Sequence, residues 1–138
     1  MESTPPVQPT LVIVEDEEII SLFLREALCD AGFSVRAFSE ATPAMRSITD
    51  PTVHAAVIDV GLPDMLGDEF TRQWHLHRPA LPVILTTGYD EQHYQEAVAT
   101  DPYVRVLGKP FDIPNLLVRL EEFGVYASRA HAIDSALP

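Results

Sequence analysis

Cysteine is almost absent from this sequence of 138 residues, in which Cys29 stands alone. A single cysteine excludes an internal disulfide and any metal site built from several thiolates. Because Cys29 falls in a segment with helical periodicity, we expect it to be a small packing residue of that helix.

Basic residues are also few, since nine lysines and arginines stand against 21 aspartates and glutamates, a formal net charge of −12. This charge repels polyanions and anionic surfaces, so it argues against direct binding to nucleic acid or to a membrane. Apolar runs such as "LVIV" are too short to cross a bilayer, and "MESTPPVQPT" lacks the basic segment and apolar core of a signal peptide. We therefore expect a cytoplasmic protein.

Short apolar runs alternate with segments of helical periodicity along most of the chain. A run such as "LVIV" is typical of a strand covered on both faces, whereas apolar residues from Ile19 to Leu28 recur at helical spacing. The predicted strands are 11–14, 33–38, 54–60, 81–88 and 103–108. The predicted helices are 19–28, extending to near Gly32, then 40–48, 68–77, 90–99 and 113–123. This alternation predicts an α/β fold with a parallel sheet and right-handed crossovers.

The two ends of the chain differ from the segment between them. Residues 1–9 hold three prolines among polar residues, a composition typical of a loose leader. Residues 124–138 are rich in alanine and favour a partly helical tail, without a clear apolar periodicity. We therefore expect one domain over residues 10–123.

Polar side chains lie at or just after the carboxyl ends of four of the five predicted strands. They are Glu15 and Asp16 after the first strand, Asp59 in the third, Thr87 in the fourth and Lys109 after the fifth. The carboxyl ends of parallel strands meet at one edge of a sheet, where ligands bind, so these side chains are expected to converge. Three carboxylates form a hard-oxygen site of the kind that Mg²⁺ accepts.

A carboxylate can also act as a nucleophile toward phosphorus, and catalysis of that transfer consists largely of positioning and charge neutralisation. Asp59 is the best candidate nucleophile, because it ends the central strand "AAVID" and faces the loop that begins at Gly61. Lys109 and the Thr87 hydroxyl would help to neutralise the phosphoryl oxygens. Glu15 and Asp16 are better placed to hold metal.

Other polar or aromatic residues have simpler structural interpretations. Glu17 and Glu18 fall in the first turn of a helix, where the helix dipole favours acids. His75 and His77 are alternate residues of a predicted helix and point apart, so we expect solvated side chains rather than metal ligands. Trp74 is expected to pack in the core.

Four segments, "VIVEDEE", "AVIDVGLPDMLGDEF", "VILTTGY" and "LGKPF", resemble in order and spacing the receiver domain of two-component response regulators. The resemblance covers about residues 10–123. It implies a flavodoxin-like (βα)5 doubly wound parallel sheet of strand order 2-1-3-4-5. The "TTGY" segment resembles a subgroup of short receivers with a Thr-Gly-Tyr or Thr-Gly-Gly turn.

The resemblance implies a role for each acid at the strand ends. Asp59 looks like the phosphoacceptor, and Asp16 looks like a direct ligand of Mg²⁺ or Mn²⁺. Glu15, where Asp is more frequent in the family, would bind the metal through water. The carbonyl of Gly61 would be a further ligand.

The resemblance also implies how the site grips the phosphoryl group and passes on the signal. Thr87 and Lys109 would contact the phosphoryl oxygens, and a cis peptide is implied between Lys109 and Pro110. Many family members carry a rotating aromatic where this chain has Val106. Tyr89 is therefore a candidate signal relay in its place.

These residues predict a phosphorylation-controlled signalling module that accepts its phosphoryl group from a histidine kinase or a histidine phosphotransfer protein. It would not be an enzyme beyond catalysing its own phosphorylation and dephosphorylation. No output domain follows residue 123, so a single-domain regulator is expected to signal by protein contact or self-association. The surface for that contact would be the face of helix 90–99, strand 103–108 and helix 113–123.

Three alternatives remain at this level. The first is a phosphatase with an aspartyl-phosphate intermediate, although such enzymes usually place an acid where this chain has Gly61. The second is a pseudo-receiver without phosphate turnover, which the presence of Asp59 and Lys109 disfavours. The third is the receiver portion of a hybrid kinase.

Overall fold

The sheet of this protein has five parallel strands in the order β2-β1-β3-β4-β5. The computed structural model describes residues 8–127. The strands are β1 (Thr10–Val14), β2 (Ser34–Phe38), β3 (Val53–Asp59), β4 (Val83–Thr87) and β5 (Val104–Gly108). The predicted α/β class and the strand order are both confirmed.

A helix follows each strand and returns the chain to the opposite edge of the sheet. The helices are α1 (Glu18–Ala31), α2 (Ala41–Ala44), α3 (Gly67–His77), α4 (Glu91–Ala97) and α5 (Ile113–Glu122). The helix predicted for 40–48 is α-helical only in α2, and Met45–Thr49 continues it as a 3-10 helix. Short helices often tighten to 3-10 geometry in their last turn, which apolar spacing alone does not reveal.

Both faces of the sheet are covered by apolar side chains. In β1, Val12 and Val14 belong to the cluster on one face, while Leu11 and Ile13 belong to the cluster on the other. Burying each such side chain stabilises the fold by about 1.5–3 kcal/mol. This double burial explains why the strand is a continuous apolar run instead of an alternating one.

The first helix packs one face on the sheet through Leu24 and Leu28. It ends at Gly32, whose φ of 107° lies in the left-handed region that favours glycine. Cys29 is exposed, so the expectation that it packs in the core is wrong. The next residue after Leu28 is turned about 100° around the helix axis, which takes the Cys29 side chain away from the sheet.

The segment after α5 shows no helix in its described part, residues 124–127. Residues 1–7 of the predicted leader and residues 128–138 of the predicted tail lie outside the described residues. Within residues 8–127, no helix is long and apolar enough to cross a membrane.

Candidate functional site

Three carboxylates meet where β1 and β3 end. Glu15, Asp16 and Asp59 each offer an oxygen atom, and these oxygens lie within 4.8 Å of one another. Glu15 is 2% exposed and Asp59 is 7% exposed, whereas Asp16 lies at the surface. Like charges this close disfavour one another, so the cluster is suited to a cation.

Lys109, one residue beyond β5, reaches into this cluster from the far side of β4. Its Nζ lies 3.0 Å from Glu15 Oε1 and 3.1 Å from Asp59 Oδ1. Burial lowers the pKa of Lys109, but its hydrogen bonds to Glu15 and Asp59 outweigh that effect, so the pKa is raised. Lys109 is therefore a fixed positive charge shared by two acids.

Glu15 is the most perturbed acid of the site. Burial raises its pKa to about 7, and the charges of Asp59 and Asp16 act in the same direction, while Lys109 opposes them. Near neutral pH, the carboxyl of Glu15 is therefore close to the midpoint of its titration.

The Thr87 hydroxyl at the end of β4 is held by the backbone of the following turn. It donates a hydrogen bond to the Tyr89 carbonyl and accepts one from the Tyr89 amide at 3.1 Å. Thr87 is buried, but the Tyr89 side chain is 87% exposed. Tyr89 is thus tied to the site through its main chain.

The loop after Asp59 folds tightly over the end of β3. A Cβ on Gly67 would lie 2.3 Å from the Asp59 carbonyl oxygen, so only glycine fits there, and the Gly67 amide donates to Val60 at 2.8 Å. Gly61 pairs with Leu66 across the loop. A Cβ on Gly61 would lie 3.7 Å from Asp59 Oδ2, so the backbone of Gly61 passes close to that carboxylate.

Asp64, at the tip of this loop, anchors it to α2. Its carboxylate accepts hydrogen bonds from the amides of Ala41, at 2.9 Å, and Thr42, at 2.8 Å. Hydrogen bonds from Thr42 hold the pKa of Asp64 below its ordinary value. Sequence reasoning missed this residue, because its partners lie more than 20 positions away.

Part of this site lines one cavity of about 540 Å³. The residues lining it include Asp16, Asp59, Gly61, Thr87, Tyr89 and Lys109. Tyr94 of α4 and Leu66 also line it, and neither was predicted as a site residue. Asp90 lines the same cavity, and Tyr94 lies four residues later, which is one helical turn. This spacing is the signal in the sequence that would have placed Tyr94 on the same side as the site.

The remaining predicted residues lie beside this cavity. Val106 of β5 is half-buried against the core cluster and is not among the residues that line the cavity. The peptide bond between Lys109 and Pro110 is cis.

His75 corrects one expectation from the sequence. Its Nδ1 lies 2.8 Å from Asp101 Oδ2 and its Nε2 lies 2.8 Å from the Leu81 carbonyl, so the side chain is not solvated. The end of α3 packs beside the loop that carries Asp101, a long-range contact that local spacing does not show. His77 is exposed, and Trp74 is fully buried as expected.

The donor set of the site fits a hard divalent cation. It consists of carboxylate oxygens on two adjacent strands, together with the backbone of Gly61 beside Asp59. Oxygen donors of this kind suit Mg²⁺, which keeps several waters and takes only a few protein ligands.

The model of the response regulator receiver domain family matches residues 11–121. The transcriptional regulatory protein CreB of Escherichia coli is 32% identical over 124 residues, which are 83% of this chain and 53% of that protein. The virulence transcriptional regulatory protein PhoP of Salmonella typhimurium (strain LT2) is 29% identical over 114 residues, 80% of this chain and 50% of that protein. The chain thus spans about half the length of these curated relatives.

Solved structures show the same architecture. A CheY-like receiver domain protein from Methanospirillum hungatei has a TM-score of 0.76 at 25% identity, over 84% of this chain and 93% of that one. The chemotaxis protein CheY4 of Vibrio cholerae has a TM-score of 0.77 at 21% identity, over 85% of this chain and 99% of that one. The second likeness concerns the fold alone.

Proposed function

This chain belongs to the family of response regulator receiver domains, and we propose that it accepts a phosphoryl group on Asp59. The observation that carries the proposal is the convergence of Glu15, Asp16 and Asp59 with Lys109 at one sheet edge. The receiver would extend over residues 10–123, with 1–9 as a leader and 124–138 as a tail.

Glu15, Asp16, Asp59 and the Gly61 carbonyl would hold Mg²⁺ or Mn²⁺, in keeping with their oxygen donors. The bound ion would neutralise charge on the phosphoryl oxygens. Lys109 would supply a second positive charge, because its Nζ already lies 3.1 Å from Asp59 Oδ1. The partner of Glu15 would then change from Lys109 to the hydrated ion.

In the transfer, a carboxylate oxygen of Asp59 attacks phosphorus and forms the acyl phosphate. The bond between phosphorus and the donor breaks, and the donor keeps the electron pair. Water later attacks the same phosphorus and regenerates the Asp59 carboxylate. Gly61 and Tyr89 lie on either side of this route, so their size governs how readily water enters.

The phosphoryl donor would be a histidine kinase or a histidine phosphotransfer protein. Downstream, the chain would contact a protein target or a second copy of itself through the face of α4, β5 and α5. Tyr89 is the proposed relay, because the Thr87 hydroxyl that would turn to the phosphoryl group now holds the Tyr89 backbone. Val106, without a polar group or ring, would take no part in that relay.

The test is phosphorylation with acetyl phosphate and Mg²⁺, followed by intact mass measurement. We expect wild type to gain one phosphoryl group, and expect no gain in EDTA or with Asp59→Asn. Asp30→Asn, a change on the exposed side of α1, is the matched control and should behave as wild type. Lys109→Ala should weaken the structural response. A stable phosphoryl group on serine or histidine would contradict the assignment.

A further inference from the structure

Helix α4 is weakly anchored to the rest of the protein. None of its seven residues is buried, and all are exposed except Tyr94, which is partly buried. Segments with so few buried apolar contacts open at low free-energy cost. The position of α4 therefore depends on Tyr94.

Tyr94 links the cavity of the site to the core. Its ring lines the same cavity as Asp59, Thr87 and Lys109. It also packs against the apolar cluster that includes Phe70 of α3 and that Val106 contacts. Tyr94 thus occupies a place from which a change at the cavity reaches α3 and β5.

The first turn of α3 carries a hydrogen-bond acceptor that is unused in this structure. Asp68 Oδ1 is buried and has no hydrogen-bond partner among the described residues, while Oδ2 lies 3.4 Å from Arg72. Unpartnered buried carboxylate oxygens are rare, and each calls for an explanation. Burial, with the charges of Asp68 and Asp90, raises the pKa of Tyr94, so its hydroxyl remains a protonated donor.

The segment between Thr87 and α4 contains a residue, Asp90, at which the backbone conformation can change. Asp90, which precedes α4, has a φ of 53°, in the left-handed region that non-glycine residues adopt at a cost. If the Thr87 hydroxyl turns to a phosphoryl oxygen, the Tyr89 carbonyl loses that donor. The turn is then free to move α4 relative to α3.

We propose that Tyr94 is a latch: in the phosphorylated protein its hydroxyl donates a hydrogen bond to Asp68 Oδ1 and fastens α4 to the start of α3. A neutral hydroxyl that donates to a carboxylate forms one of the stronger protein hydrogen bonds. The latch depends on the proposed function in one respect, which is that phosphorylation of Asp59 closes it. Its parts, a weakly held helix and an unpartnered acceptor, are features of the unphosphorylated protein.

The experiment measures hydrogen exchange of the amides of residues 91–98 with and without beryllium fluoride and Mg²⁺, which mimic the acyl phosphate. In wild type, beryllium fluoride is expected to slow this exchange by about tenfold, the scale of one charge-assisted hydrogen bond. Tyr94→Phe, which removes only the hydroxyl, and Asp68→Ala should each abolish most of that slowing. The double variant should lose no more than either single variant.

Two matched controls accompany these variants. Tyr103→Phe removes the hydroxyl of an exposed tyrosine that does not line the cavity, and Glu69→Ala removes the neighbouring exposed acid of α3. Both should keep the full slowing. Because the latch is open in the free protein, the melting temperatures of Tyr94→Phe and Asp68→Ala without beryllium fluoride should stay close to that of wild type. If one of the two variants does not fold, the other is sufficient for the test.

Several outcomes would overturn the latch. If Tyr94→Phe kept the full slowing of exchange, the Tyr94 hydroxyl would have no part in it. If the double variant lost the sum of the two single losses, Tyr94 and Asp68 would not act as a direct hydrogen-bonded pair. Binding of beryllium fluoride is followed in the same samples by fluorine NMR. Binding without slower exchange in wild type overturns the latch alone, whereas no binding overturns the Asp59 site and the latch with it.

Discussion

At the scale of single residues, the protonation of Glu15 is set by opposing effects, since burial and the neighbouring acids favour its neutral form and Lys109 favours its charged form. The Glu15 side chain is almost fully buried beside Asp59, and Lys109 is the cation that contacts both. Burial contributes most to the raised pKa of Glu15, so its proton is held more tightly in the folded chain than in the unfolded one. The sequence indicated the crowding of acids, but not that Glu15 and Asp16 would differ so much in burial, since both follow the same strand.

This balance predicts how stability depends on pH without metal. The pKa of Glu15 is about 7 in the folded protein, against an ordinary value of 4.5 that applies to the unfolded chain. Between these two pH values, the folded state therefore binds more protons than the unfolded state. The free energy of unfolding should therefore fall as pH rises through that window. In EDTA, wild type should lose roughly 1–3 kcal/mol relative to Glu15→Gln between pH 5 and pH 8.

Denaturant unfolding at several pH values measures this difference. Glu17→Gln, a change at an exposed acid of the same segment, is the control and should keep the pH dependence of wild type. An identical pH slope for wild type and Glu15→Gln would refute the assigned shift.

At the scale of elements, the loop between β3 and α3 is the part that the sequence described least. The sequence indicated a loop that begins at Gly61, but not that Gly67 packs directly against the backbone of Asp59. The cap that Asp64 provides for α2 was not visible, since it joins segments that only the folded sheet brings together. The same reason hid the pairing of His75 with Asp101.

Loss of the Asp64 cap should destabilise α2. Asp64→Ala leaves two amides without their acceptor, so we expect a loss of about 0.5–2 kcal/mol, as for other helix caps. Because the pKa of Asp64 is lowered, its stabilisation is present above the ordinary value and is lost as pH falls. Thermal unfolding at neutral and acid pH measures this, and Asp64→Asn, which keeps one acceptor, should lose less. Equal stability of Asp64→Ala and wild type at neutral pH would show that the cap contributes nothing.

At the scale of the whole molecule, the alternation of strands and helices predicted the α/β class, because runs such as "LVIV" and the spacing around Leu24 each favour one element. The strand order came from the resemblance of four motifs, since alternation alone does not say which strands are neighbours. The motifs are short stretches of sequence and can be recognised without the structure. The position of Tyr94 cannot be predicted in this way, because it depends on how α4 packs. That packing is a property of the assembled fold.

A signal that leaves through α4, β5 and α5 should appear as a phosphorylation-dependent change in self-association. We expect the change in wild type to correspond to about 1–3 kcal/mol, the usual range for coupled sites. Tyr89→Ala should reduce it, because the turn that follows Thr87 loses its side chain, and Val106→Ala should keep it. Sedimentation with and without phosphorylation measures the change. If folded Tyr89→Ala retained the full change, the relay would not pass through the Tyr89 ring.

The most direct test of the central claim is to map the phosphoryl group chemically. The protein is phosphorylated with acetyl phosphate and Mg²⁺, reduced with borohydride, which converts an acyl phosphate to an alcohol, and digested for peptide mass spectrometry. We predict homoserine at position 59 and none at Asp16, whose carboxylate belongs to the same cluster. Reduction at any other acid, or the absence of homoserine from a protein that has gained a phosphoryl group, would contradict Asp59 as the phosphoacceptor.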